Sequence, residues 1–176
     1  MRHLAASVLL VGLVSLALAG PHSLSSVAQE ASPMAGMADM PAGAVGLTSR
    51  VLARIEPATA TGQELQLVRV EVAPDATVAA HTHPGTIALC LESGSVVFGV
   101  VEGTATVTRA ATAATPEAAE HLSAAETQLQ PGDCLTFDAT QTVHTLHNPG
   151  GPAVLWQAQL YTVGQPPTTF LGTPTP

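Results

Sequence analysis

What most limits the fold open to this chain is its punctuation: from about Leu47 to Thr162, short β-branched runs are broken repeatedly by glycine and proline. The run "LVRVEVAP" sets Val68, Val70 and Val72 on one side and Arg69 and Glu71 on the other, the two-residue period of a half-buried strand. "SVVFGVV", "TATVTRA", "CLTF" and "AVLWQAQLYTV" read the same way, with turns at "ESGS", "VEGT", "QPGD" and "NPGG". Many short strands at short spacing predict an all-β sandwich or barrel. One stretch departs from this, "AATPEAAEHLSAAET", residues 113–127, whose alanines and glutamates favour a helix with Thr115 as cap and Pro116 in the first turn. A surface loop or short helix inserted between two strands is expected there, with His121 solvated.

The flanks have a different character. In "MRHLAASVLLVGLVSLALAG", Arg2 precedes an apolar run from Leu4 to Ala19 that ends Ala17-Leu18-Ala19, the layout of a secretory signal peptide. The run has 16 residues and contains Ser7, Gly12 and Ser15, short of the ~20 apolar residues a membrane-spanning helix needs. Residues 1–19 are therefore expected to direct export, and membrane association is expected only if this segment stays attached. Residues 20–46 are rich in Ala, Ser, Gly and Pro and predict a flexible linker. Met34, Met37 and Met40 fall within it, thioethers of the kind that bind Cu(I), although spacing in such a tract arises readily from composition alone. Residues 47–163 form one folded domain, and the Pro/Thr-rich residues 164–176 are expected to be a disordered tail. The chain has no lysine and a formal net charge of −8, which speaks against a grip on nucleic acid phosphates.

The chemistry-bearing residues are histidines. His81 and His83 sit two apart in "HTHPGTIALCLESG", so on a strand they project to one side while Thr82 points away. A second segment, "QPGDCLTFDATQTVHTLHNPGG", carries His144 and, four residues on, Asn148. His147 has the opposite parity to His144 on a regular strand, so His144 is expected to face inward.

These two segments resemble the paired motifs of the cupins, small β-barrels of the jelly-roll type. The first motif reads glycine, then H-x-H, three or four residues, glutamate, and six residues to a glycine. His81, His83 and Gly94 match it, Ile87 stands at the glutamate, and Ala73-Pro74-Asp75 lie near the leading glycine. The second reads glycine, a proline-containing turn, histidine, three residues and asparagine. Gly132, His144 and Asn148 match, with Asp138-Ala139 in place of the usual proline and one residue more in between. The resemblance runs from roughly Leu65 to Thr162 and implies a jelly-roll barrel, the double-stranded β-helix.

It also implies a metal. In cupins both first-motif histidines, the glutamate and the second-motif histidine hold Fe, Mn, Ni, Cu or Zn inside the barrel, which leaves His81, His83 and His144 here, because Ile87 binds nothing. Three imidazoles with an open position make a workable site for Zn²⁺ or Fe²⁺. The alternative is that the histidines line a polar pocket and hydrogen-bond among themselves, Thr145 or water. In either case Ile87, Leu89, Phe137, Leu146 and Asn148 are expected to line a small-molecule pocket. The resemblance further places the strand ending at Gly94 beside the one that begins after Gly132, with Cys90 and Cys134 both facing outward. A disulfide there would close a loop of about 44 residues, for which roughly 3 to 4 kcal/mol is expected; the alternative is two separate thiols packed as small apolar groups. The expected protein is a secreted cupin, a homodimer by analogy with the family, that binds a divalent metal and a small molecule. A metal-dependent enzyme of dioxygenase or isomerase type acting on an oxygen-bearing substrate is the other reading.

Overall fold

Alternation of side chains, rather than helix propensity, governs the fold. The structure, a computed structural model, describes residues 43–112 and 118–172. The expected signal segment, the three linker methionines and the last residues of the tail lie outside these. The described residues form eleven strands and no helix: β1 (Ala44–Ile55), β2 (Gln63–Thr82), β3 (Gly85–Ser93), β4 (Val96–Glu102), β5 (Ala105–Arg109), β6 (Ala118–Leu122), β7 (Glu126–Leu129), β8 (Cys134–Asp138), β9 (Val143–His147), β10 (Ala153–Thr162) and β11 (Thr169–Phe170). They pair antiparallel in the order β6-β5-β8-β3-β10-β2-β9-β4-β7, with β1 and β11 also against β2, and roll into a nearly closed barrel.

The long strand β2 joins the two faces of the barrel. Its first half, Gln63 to Val72, pairs with β10; its second half, from Thr77, pairs with β9. The change of partner occurs at Ala73-Pro74-Asp75, where proline cannot donate to a ladder and Asp75 takes a left-handed backbone with φ 58°. Asn148 holds this bend. Its buried amide nitrogen donates to the carbonyls of Ala73 (2.9 Å) and Gly151 (2.8 Å), its Oδ1 accepts from the Gly150 N–H, and its backbone exchanges two hydrogen bonds of 2.9 Å with Asp75 and Ala76.

The inner positions follow the two-residue period. Val68, Val70 and Val72 on β2, Ile87, Leu89 and Leu91 on β3, Leu135 and Phe137 on β8, and Phe98 on β4 are all buried. The outward partners of β3 and β8 include Cys90 and Cys134, which face each other directly in the register and are joined as a disulfide. Gly94 closes the β3–β4 turn with φ 79°, and a Cβ there would lie 2.5 Å from the Pro152 carbonyl, so only glycine fits.

Three expectations are corrected. Ala118–Leu122 is a strand paired with β5, and Glu126–Leu129 another paired with β4, where a loop or helix was expected. The helix preference of Ala and Glu amounts to fractions of a kcal/mol per residue and yields to ladder bonds on open strand edges. Only residues 113–117 of that stretch lie outside the described residues. His121 is exposed, its Nδ1 3.3 Å from the Thr106 hydroxyl. Likewise β1 starts at Ala44, inside the expected linker, because Ala44 and Val45 pair with Val78 and Thr77. Last, residues 164–172 are not a free tail. They return across the barrel, where Thr169 and Phe170 pair with Thr82 and His81.

β6 and β7 are the unpaired edges of the rolled sheet, and Arg109 ties them together. Its guanidinium donates to both carboxylate oxygens of Glu120 on β6 (3.2 and 3.0 Å), to the Gln128 carbonyl (2.8 Å) and Thr127 hydroxyl (2.5 Å) on β7, and to Asp133 (2.9 Å). Burial pushes the Asp133 carboxyl up, but the N–H groups of Ala110 and Gln130 and the Arg109 charge outweigh it and hold it below its ordinary pKa.

Candidate functional site

The barrel interior is mostly apolar, and three histidines meet there, brought together by β2 with its continuation and by β9. His81 lies near the end of β2, after an irregularity in the β2–β9 register that sets it directly opposite His144. Directly opposed residues of antiparallel strands share a face, so both rings enter the barrel. His83 follows just past the strand, its backbone N–H donating to the Ala139 carbonyl at 3.1 Å. The ring centroids are 4.0 Å apart for His81 and His144, 4.8 Å for His81 and His83, and 5.1 Å for His83 and His144. One nitrogen from each falls within 4.8 Å of the others. His147 pairs with Thr77 and Val97 and lies outside this cluster.

Each ring is oriented by a backbone carbonyl. His81 Nδ1 is 2.7 Å from the Ala79 oxygen, His83 Nδ1 is 2.6 Å from the Pro167 oxygen, and His144 Nδ1 is 3.2 Å from the Thr142 oxygen. A carbonyl oxygen only accepts, so in all three the proton sits on Nδ1 and Nε2 keeps a free lone pair. This is the arrangement by which metal-binding imidazoles are held in one tautomer and one orientation. Burial drives all three pKa values down. His83 falls to about 4, lowered further by the neighbouring His81, and His144 falls to about 2, lowered further by both other rings. The rings are therefore neutral at pH 7, the form that binds cations.

Aromatic neighbours fix the cluster from the sides. Phe98 stacks on His144 at 5.3 Å, Phe137 meets it edge-on at 4.8 Å, Tyr161 stacks on His83 at 5.6 Å and Phe170 leans on His81 at 5.5 Å. Beside the histidines opens a cavity of about 90 Å³, space for several waters or a small organic group. Ile87, Leu89, Phe137 and Leu146 line it, and so do Val70, Phe98, Leu155, Gln157, Thr168 and Phe170. Ile87 is almost fully buried and forms part of this apolar wall. Asn148, expected in the pocket, is not among the lining residues: all its polar atoms are used at the β2 bend.

Sequence reasoning missed Gln157, Tyr161, Thr168 and Phe170. The first two were legible, because Leu155 faces inward and residues two and six further along β10 share its side. Thr168 and Phe170 gave one weak signal, a Phe-Leu pair in a Pro/Thr-rich tail.

A jelly roll with an H-x-H pair ending one long strand, and a third histidine opposite it on the neighbouring strand, has both halves of the motif in register. The fold is a cupin-type barrel. The sequence matches no family model and no curated protein. Among solved structures it is similar to a cupin-like protein of Thermotoga maritima, at 18% identity over 80% of this chain and 87% of that one with a TM-score of 0.49. It is also similar to a cupin 2 domain-containing protein of Halorhodospira halophila, at 15% identity over 77% and 74% with a TM-score of 0.46. A third is a sugar phosphate isomerase from a cupin superfamily of Silicibacter pomeroyi, at 18% identity over 68% and 67% with a TM-score of 0.43. At such identities and TM-scores the likeness carries nothing about activity.

Proposed function

We propose that this cupin barrel binds a divalent transition metal through His81, His83 and His144 and presents it to a small oxygen-bearing ligand in the adjoining apolar cavity. One observation carries the reading: three neutral imidazoles converge with one nitrogen of each within 4.8 Å of the others, and every Nδ1 faces a backbone carbonyl, which leaves Nε2 as the nitrogen to offer a cation. The donor set fits Zn, Fe, Ni or Cu better than Mn, which favours carboxylates. Bound there, such an ion would act as a Lewis acid on a ligand oxygen.

The chain's own residues do the rest. Ile87 in place of a carboxylate leaves the cation's charge uncompensated by protein, which favours an anionic oxygen on the ligand. Leu89, Phe98, Phe137 and Leu155 receive its apolar part, and Gln157 is the one side-chain amide on the cavity wall. Among the described residues no carboxylate lines the cavity, so acid–base work would fall to the three histidines themselves, and we favour binding over catalysis. The N-terminal segment supports a place outside the cytoplasm. The test is elemental analysis of protein purified without chelator, followed by Zn²⁺ and Fe²⁺ titration beside His83→Ala. About one metal per chain, lost in the variant, is expected. No stoichiometric uptake by the wild-type protein sinks the proposal.

A further inference from the structure

The stretch from Val163 to Gly172 reads as tail in the sequence, yet it meets two of the three histidines, His81 and His83. It leaves β10 through Gly164, whose φ of 81° suits a turn, and Val163 N–H donates to the Gly62 carbonyl at 3.0 Å. It then returns to β2, where β11 pairs Thr169 with Thr82 and Phe170 with His81, and Leu171 N–H donates to the Ala80 carbonyl at 2.8 Å. On the way it supplies the Pro167 carbonyl to His83, with the Thr168 hydroxyl 3.4 Å from the same ring nitrogen. Phe170 leans on His81, and its ring fills the space that a side chain at Gly43 would need, with a Cβ there only 2.6 Å away.

We propose that residues 163–172 form a strap that acts as a positioning element of the histidine site, with Pro167 selecting the tautomer of His83 and Thr168 and Phe170 closing the cavity above it. The inference rests on the proposed metal site for its purpose but not for its geometry. His81 and His144 take their carbonyl partners from Ala79 and Thr142, each only two residues back along the chain, and keep them whatever the tail does. His83 alone takes its partner from 84 residues further along the chain. Without the strap its ring is free to turn and to carry the proton on either nitrogen, and the site falls to two fixed ligands. An outer partner of this kind contributes roughly 10- to 100-fold in metal affinity.

The experiment compares the full chain with one ended after Val163 and with one carrying two extra glycines after Gly164, which slackens the strap without removing it. Long-range ¹H–¹⁵N spectra of the metal-free proteins report the tautomer of each histidine. In the full chain all three should carry the proton on Nδ1. In both variants His83 should shift to the mixture of an unrestrained imidazole, in which the Nε2–H form predominates, while His144 keeps its signals and so certifies an intact barrel. Zn²⁺ affinity should fall ~10- to 100-fold in both. A His83 that stays on Nδ1–H in the folded variants, or an unchanged Zn²⁺ affinity, overturns the strap. If the full chain takes up no metal, the proposed function falls and the tautomer spectra still decide the strap.

Discussion

Metal-free protein should lose stability steeply on mild acidification, well before its carboxylates protonate. His81 and His144 are buried and His83 is half-buried, and desolvation holds all three neutral in the fold, with pKa values below the ordinary 6.5. Unfolded, each titrates near 6.5, so below that pH the unfolded chain binds protons that the native one does not. The stabilisation is complete above pH ~6.5 and is lost as pH falls; for His83 the loss ends near pH 4. The shift of His83 from 6.5 to about 4 corresponds to about 3 kcal/mol. His144 is shifted further in the same direction by burial and by its two neighbours. Three such groups give a slope of at most about 4 kcal/mol per pH unit, against a total stability of ~5 to 15 kcal/mol for a domain of this kind. Urea unfolding in EDTA at constant ionic strength, from pH 8 to pH 4, measures the slope directly. His144→Leu, which places a similar volume between Phe98 and Phe137, should remove about a third of it. Stability that is flat between pH 6.5 and 4.5, or a slope that His144→Leu leaves unchanged, would refute the reasoning.

Cys90→Ala with Cys134→Ala opens a loop with a sequence separation of 44 and should cost about 4 kcal/mol in urea unfolding, with a loss under ~1 kcal/mol counting against an entropic role for the bridge. Asn148→Ala strips the Ala73 and Gly151 carbonyls of their donor and should cost about 2 to 4 kcal/mol while leaving Zn²⁺ affinity within about twofold; a large affinity loss would restore Asn148 to the site. Ile87→Glu puts a carboxylate into the cavity wall, so the metal-free protein should be less stable by roughly 3 kcal/mol or more. The same variant should bind Zn²⁺ at least ~10-fold tighter as the cation gains a fourth ligand, and calorimetry showing equal or weaker binding would place residue 87 out of reach of the ion.

Much of the barrel was legible because burial on a strand obeys a strict period. The alternation in "LVRVEVAP" and "CLTF" already sorted inner from outer residues, and parity alone separated His144 from His147. Long-range pairing without a local signature was not legible. Ala118–Leu122 looks helical by composition and becomes a strand only because the β5 edge is open to it. Phe170 gains its place from a ladder with Thr82 and His81, of which "GQPPTTFLG" gives no sign beyond the phenylalanine itself. Asn148 shows the limit of reading a role from a motif: its position matched, and its amide proved to clamp backbone.

The bond between His83 and Pro167 also sets a timetable. A chain emerging from the ribosome presents its N-terminal strands first, at ~5 to 20 residues per second, so His81 and His83 are exposed for several seconds before the strap exists. His144 then arrives with β9, and the carbonyl that orients His83 comes last, with residue 167. A complete three-nitrogen trap is therefore a property of the finished chain only. On the proposed function, a chain that has not yet reached β9 would offer a metal ion no more than a loose pair of imidazoles, and the choice of ion would be made where folding ends rather than where synthesis begins.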